Sequence, residues 1–271
     1  MCWRDREGRV NPRRRRRSVT PVEGKREESD YRRSHLERGA DYDAALAYDP
    51  FDAFLAARER ALLLEAVARA FPRGIPRYLD FACGTGRITQ LVAPLAVQSY
   101  GVDVSETMLA QARAKCPGTT FLLRDLTHEP AGIEPVQLVT AFRFFGNAQD
   151  ELRRDAIRAM HAVLAEHGIL ILDNHRNPWT VRQGIRRLVG DRANDTGDGR
   201  LDLNHWKLRR LLIGGGFEVV SLRGIGFWLF RARLAQAGVL ESRTAGLLEY
   251  ASRLPILGRF SPAYVLVARK R

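Results

Sequence analysis

The stretch that most constrains this chain is Tyr78-Leu79-Asp80-Phe81-Ala82-Cys83-Gly84-Thr85-Gly86-Arg87-Ile88-Thr89. Arg77 to Ala82 predicts a short buried strand, and Thr85 to Ala96 predicts a helix. Between them the chain must reverse within a few residues. Gly84 and Gly86 permit that turn, because without a Cβ they reach backbone angles closed to other residues and let a ligand approach the main chain. The N–H groups at the start of the following helix would then face the crevice at the strand's carboxyl end, where open α/β sheets bind ligands. A nucleotide-type ligand is the expectation; a tight turn with no ligand is the plain alternative.

Two further carboxylates sharpen the reading. Asp103 closes the strand-like run Ser99-Tyr100-Gly101-Val102-Asp103-Val104, about twenty residues after the first glycine, the spacing at which an acid accepts hydrogen bonds from ribose hydroxyls. Asp125 closes a third run, Thr119 to Asp125, and is placed to take a proton from an exocyclic amine of a base. The dinucleotide fingerprint fits less well, because Thr89 stands where its third Gly or Ala belongs.

Asp80-x-x-Cys83-Gly84-Thr85-Gly86, then Gly101-Val102-Asp103-Val104-Ser105-x-x-Met108-Leu109, then Arg124-Asp125-Leu126 resembles the class I S-adenosylmethionine-dependent methyltransferases. The resemblance runs from about Asp49 to the C-terminus and is strongest from Tyr78 to Asp125. It implies that Asp80 acts through the loop and the amino group of the methionine moiety, with Ala82, Gly84 and Gly86 along the methionine and sulfonium side. It further implies that Asp103 holds the ribose, Val104 and Met108 flank the adenine, and Asp125 with Leu126 reads the adenine edge. The implied cofactor is S-adenosyl-L-methionine.

With 271 residues, the chain can hold one large α/β domain with a substantial core. Its 45% hydrophobic and 28% charged residues describe a soluble globular protein. No apolar run approaches the ~20 residues of a spanning helix, and the Arg-rich N-terminus has no apolar segment of a secretory signal. Three cysteines (Cys2, Cys83, Cys116) lack metal-ligand spacing and fit a reducing cytoplasm, without a disulfide framework or zinc site. The net charge is +13, and only Lys25, Lys115, Lys207 and Lys270 are lysines. Such a surface favours nucleic acid, anionic lipid or acidic small substrates as partners.

Residues 1–35 form an arm whose arginine run, Arg13 to Arg17, repels itself and stays extended. It is either a disordered tail or an electrostatic attachment to nucleic acid or a membrane surface; no aromatic residues are interleaved to stack on bases. The remainder, 36–271, is predicted as a single domain. Asp49-Pro50-Phe51-Asp52 starts a helix, with Asp49 as cap and proline at the first helical position. Its stripe of Phe51, Phe54, Leu55, Leu62, Leu63, Val67 and Phe71 faces a core. Tyr42 and Tyr48 ahead of it are either lids over the cofactor or packing aromatics.

Helices predicted over 105–116 and 150–164 then alternate with strands that include Val136 to Phe142 and Gly168 to Asp173. That alternation predicts a doubly wound, Rossmann-like, mostly parallel sheet. Further expectations are a basic amphipathic helix over 179–189, a polar loop over 191–199, a helix over 204–213 capped by Asn204, and a sixth strand from Phe217 to Leu222. The run Ser261 to Ala268 reads as a last strand, which the resemblance makes the antiparallel seventh, beside the sixth. Between them, 227–260 is an insertion of helical character: a cap on the acceptor pocket, a homodimer face, or a peripheral membrane contact.

Methyl transfer from a sulfonium asks the protein for orientation, exclusion of water and, for some acceptors, removal of a proton. Acceptor-side groups should come from the ends of the fourth and fifth strands. Arg143 stands there within Phe142-Arg143-Phe144-Phe145, either binding an acidic group of the acceptor or forming an ion pair with a helix residue. Phe142 and Phe144 are walls, Phe142 on the cofactor side. His175, in Asp173-Asn174-His175-Arg176-Asn177, is the first candidate base, since a neutral imidazole accepts a proton near pH 7; a structural histidine is the alternative. His205 and Trp206 form a secondary pair. The Asn/Asp-Pro-Pro-aromatic signature of base amino-methyltransferases and a Pro-Cys nucleophile loop are both missing.

The sequence thus predicts a methyltransferase acting on an oxygen or nitrogen of a small or medium-sized molecule. RNA or protein methylation through the arginine arm, or cofactor binding without turnover, are its alternatives.

Overall fold

The computed structural model describes residues 50–180, 203–226, 247, 250–254 and 256–271. The arm, Tyr42, Tyr48, the Asp49 cap, the loop over 191–199 and much of 227–260 lie outside the described residues. So does all but the first two residues of the helix expected over 179–189, and Trp179 and Thr180 are irregular.

In chain order the elements are α1 (Pro50–Ala70), β1 (Ile75–Phe81), the short helix α2 (Thr89–Val92), β2 (Ala96–Asp103), α3 (Glu106–Lys115) and β3 (Thr120–Leu123). There follow β4 (Val136–Ala141), α4 (Asp150–Val163), β5 (Leu164–Asn174), α5 (His205–Gly214), β6 (Phe217–Ile225) and β7 (Ala263–Lys270). The seven strands form one sheet in the order β3-β2-β1-β4-β5-β7-β6. β7 is antiparallel to both β5 and β6, while the pairs among β1 to β5 are parallel. The strand order reverses between β1 and β4, and a crevice opens at such a switch point.

Alternation along the inner strands explains why both faces are covered. Leu170 and Leu172 of β5 join the cluster under α4 and α5, whereas Ile171 joins the cluster under α1. Val139 and Leu138 of β4 divide in the same way. A parallel sheet buried on both faces needs such near-continuous apolar strands. From α1, Leu55, Leu62, Leu63 and Val67 close one face.

Some boundaries differ from those expected. No helix spans Thr85 to Ala96; 85–88 is turn, α2 covers only Thr89–Val92, and a 3-10 turn, Ala93–Leu95, ends it. Gly86 has φ +80°, which a right-handed helix cannot contain, and Pro94 interrupts the pattern within two turns. β5 begins at Leu164 rather than Gly168, with a bulge relative to β4 that admits His167 at φ +59°. In the expected insertion, the described part includes a 3-10 turn, Leu257–Phe260, and Ser252, whose hydroxyl donates to the Gly224 carbonyl at 3.1 Å. No helix among the described residues is long and apolar enough to cross a membrane.

Candidate active site

Asp80 is the penultimate residue of β1, in register with Thr140 of β4. That pairing brings the Thr140 hydroxyl to 2.7 Å from Asp80 Oδ1, and the Thr89 hydroxyl donates to Oδ2 at 2.6 Å. Thr140 in turn lies 2.7 Å from the Tyr78 hydroxyl, so with its own proton committed to Asp80 it accepts from the tyrosine. Burial pushes the Asp80 carboxyl up to about 6, against the two threonine hydroxyls and the Arg87 charge. An acid held this way gains from any cation that enters beside it.

Asp103, the last residue of β2, joins three segments. Its Oδ2 accepts the Gly84 N–H at 2.8 Å and its Oδ1 the Ser105 N–H at 2.9 Å. Ser105 caps α3, its hydroxyl accepting from the Met108 N–H. The N–H of Gly84 is therefore directed at a carboxylate, and the helix that follows starts only at Thr89.

Two adjoining cavities lie at these strand ends and share Ala82 and Asp103 in their walls. One is mainly apolar, with Phe81, Val104, Leu126 and Phe144 around Asp125. Asp125 is turned toward its own loop through Oδ1, which accepts the Thr127 N–H at 3.0 Å and the Thr127 hydroxyl at 2.5 Å. The other is more polar, with Asp80, Gly84, Thr85 and Arg87 facing Phe142 and Arg143.

The expected site residues divide between these lobes. Val104, Asp125 and Leu126 line the apolar lobe; Asp80, Gly84, Met108 and Phe142 line the polar one; Ala82 and Asp103 line both. Met108 therefore lies on the glycine side, not across from Val104. Gly86 lines neither lobe. A Cβ there would come within 3.0 Å of Ala112 Cβ and 3.1 Å of its Cα, so this glycine serves the close approach of the turn to α3.

Just past β4, Arg143 takes φ +59°, rare for a residue with a Cβ. Its N–H donates to Asp173 Oδ1 at 2.6 Å and its carbonyl accepts from Asn147 Nδ2 at 2.7 Å. Its guanidinium lies 3.2 Å from Glu59 Oε1 of α1 and 3.9 Å from Asp173 Oδ2. Of the two sequence alternatives for Arg143, the ion pair with a helix residue is present, and the same side chain lines the polar lobe.

His175 Nδ1 stands 3.4 Å from Asp173 Oδ2, an ion-pair distance without hydrogen-bond geometry. Burial lowers the His175 pKa, against the pull of Asp173, so the ring is neutral at pH 7. It packs against Gly146, where a Cβ would meet its ring at 3.1 Å, and it is not among the residues that line the two lobes. His205 is buried and its pKa falls to about 4, first through burial; its neighbour Trp206 is partly exposed against Trp179 at 5.1 Å between ring centroids.

Sequence reasoning missed Glu59 and the roles of Thr89, Thr140 and Asp173. Glu59 is 0% exposed and lies within 3.4 Å of both Arg87 and Arg143. A signal was available: Leu55, Glu59, Leu63 and Val67 recur every four residues, placing a carboxylate on the buried stripe of a helix.

A family model described as a methyltransferase domain matches residues 79–168. These residues carry β1 through the start of β5, including the turn, Asp103 and Asp125. Residues 79–168 are thus a methyltransferase domain. A trans-aconitate 2-methyltransferase of Rhizobium rhizogenes is 28% identical over 216 residues, 66% of this chain and 78% of that protein. A methyltransferase of Oceanobacillus iheyensis is 28% identical over 95 residues, 35% of this chain and 45% of that protein. The chain spans about half the length of that protein and of a Geobacillus relative, 45% and 54%. Among solved structures, magnesium protoporphyrin IX methyltransferase from Synechocystis PCC 6803 has the same fold. Its TM-score is 0.60 at 17% identity, covering 89% of this chain and 98% of that one.

Proposed function

We propose that this protein is an S-adenosylmethionine-dependent methyltransferase acting on an oxygen or nitrogen of a small or medium-sized molecule. One observation carries the reading: an apolar lobe and a polar, charge-lined lobe meet at Asp103. A nucleoside joined to a zwitterionic amino acid fits that division. The adenine enters among Val104, Leu126 and Phe144, the ribose hydroxyls meet Asp103, and the methionine end lies by Asp80, Gly84 and Arg87. The bound cofactor supplies an electrophilic methyl group and a leaving sulfide.

The chain contributes placement and charge. Asp80, desolvated and ionised near neutral pH, favours the cationic end in the polar lobe. Phe142 and Phe144 exclude water from the displacement. For an acceptor that must lose a proton, His175 is the group we assign, neutral at pH 7 and beside the buried Asp173.

A second reading concerns the acceptor alone. The similarity to trans-aconitate 2-methyltransferases favours an acidic acceptor, methylated on a carboxylate oxygen.

Calorimetry with S-adenosylmethionine and S-adenosylhomocysteine tests the cofactor assignment, with both expected to bind. Release of S-adenosylhomocysteine from a panel of carboxylic acids, amines and phenols then identifies the acceptor. Turnover with carboxylates alone supports the second reading. His175→Gln is expected to lower kcat by about 10²–10⁴-fold on an acceptor that must be deprotonated and to leave cofactor affinity unchanged. No binding of either cofactor form would refute the proposal.

A further inference from the structure

Glu59, Arg87, Arg143 and Asp173 come together from four separate segments: α1, the turn after β1, the end of β4 and β5. Glu59 is wholly buried and reaches Arg87 at 3.4 Å and Arg143 at 3.2 Å. The two guanidinium groups therefore stand between a buried carboxylate and the polar lobe that both line. Arg143 is fixed at its backbone by Asp173 and Asn147 and at its side chain by Glu59, in a conformation that an unconstrained residue would leave. This much constraint on one cavity-facing arginine implies that its position matters to a ligand.

We infer that Glu59 is the resident counter-ion of a carboxylate-binding pair, Arg87 and Arg143, and that a ligand carboxylate takes over this pair as Glu59 takes up a proton. The inference rests on the reading of the polar lobe as the site of the cofactor's amino-acid end.

Charge balance and burial select the proton's destination. Two arginines already face two acids, and the ligand's ammonium is matched by Asp80 across the lobe, so the ligand's carboxylate leaves one negative charge in excess in a poorly solvated place. Protonating one of the resident acids relieves it, and no bond other than O–H is made. Burial works against the charge of Asp173, but His175 and Arg143 more than offset it and hold its pKa below the ordinary range. For Glu59, burial outweighs Arg143 and Arg87 and Asp173 adds repulsion, so its pKa is pushed up to about 7. Glu59 is the acid that yields.

The test compares two ligands on the full chain by calorimetry at about pH 7.5, in buffers of different ionisation enthalpy, which reports protons taken up on binding. S-adenosylhomocysteine carries the amino-acid end; 5′-methylthioadenosine keeps the nucleoside and lacks it. Proton uptake is expected with the first ligand and none with the second. Glu59→Gln should abolish the uptake and bind S-adenosylhomocysteine at least about threefold tighter, since a competing charge is gone. Wild-type binding without uptake, equal uptake with both ligands, or uptake retained in E59Q overturns the inference. The two-ligand comparison needs no variant and stands even if E59Q fails to fold. Failure of the wild type to bind S-adenosylhomocysteine would instead remove the cofactor reading beneath it.

Discussion

The carboxylate of Asp103 accepts the backbone N–H of Gly84 at 2.8 Å, tying the end of β2 to the glycine turn that follows β1. On the ribose role proposed for Asp103, recognition and turn conformation form one unit. Asp103→Ala removes the acceptor of both the Gly84 and Ser105 N–H groups as well as the group assigned to the ribose. We expect S-adenosylhomocysteine to bind about 1–3 kcal/mol more weakly by calorimetry. Asp103→Asn, which keeps one acceptor oxygen, should lose less. Wild-type affinity in the alanine variant would contradict the assignment.

Asp80 stores a penalty that depends on pH. Its folded pKa, about 6, lies above the ordinary 3.8. The associated stability is full below the ordinary pKa and is lost as pH rises through about 6. Asp80→Asn removes that loss while both threonine hydroxyls keep a partner. The variant should be more stable than wild type at pH 8, by about 3 kcal/mol at most, and no more stable at pH 4. Urea unfolding at the two pH values reads this difference, and an equal shift at both would mean that charge is not the cause.

The two glycines of the turn should fail differently. Gly86→Ala places a Cβ against the α3 backbone at Ala112 and must hold φ +80°. Gly84→Ala meets only the Met108 sulfur, at 3.5 Å, with φ +54°. We expect G86A to lose about 2–4 kcal/mol of stability and G84A about 1–2 kcal/mol, the cost of a left-handed residue. Cofactor affinity should suffer more in G84A, because Gly84 lines the polar lobe. Chemical denaturation alongside calorimetry separates the two effects.

Affinity for S-adenosylmethionine should peak between the pKa values of Asp80 and Glu59, about 6 and about 7. Below that window Asp80 is protonated and no longer attracts the ligand's cationic groups. Above it, Glu59 is ionised and competes for the arginines. Asp80→Asn should flatten the acid limb and Glu59→Gln the alkaline limb. Binding measured across pH 5 to 9 checks both, and a monotonic profile would show that one of the two carboxylates is uninvolved.

How far the sequence carried depends on the range of the interaction concerned. β1, β2 and β3 were readable because each run closes on or near an acid, β4 because it is a compact apolar run, α3 because its Ser105 cap is local and α4 because its apolar stripe is. The helix after the glycines was overextended: Thr85 to Ala96 has helical composition, but the positive φ of Gly86 delays its start to Thr89. The start of β5 at Leu164 was hidden because a bulge at 165–168 carries polar residues out of alternation.

By itself, the sequence determined the parallel sheet, the glycine corner and the spacing of Asp80, Asp103 and Asp125, because these follow from backbone conformation and from periodicities of two and 3.6 residues. Only the tertiary structure decided that Met108 faces the polar lobe and that Gly86 serves helix packing. Only it brought Glu59, 84 positions before Arg143 in the chain, against that arginine. Which charges meet across such a separation is set by how α1 docks on the sheet, and no local pattern encodes a partner that far away.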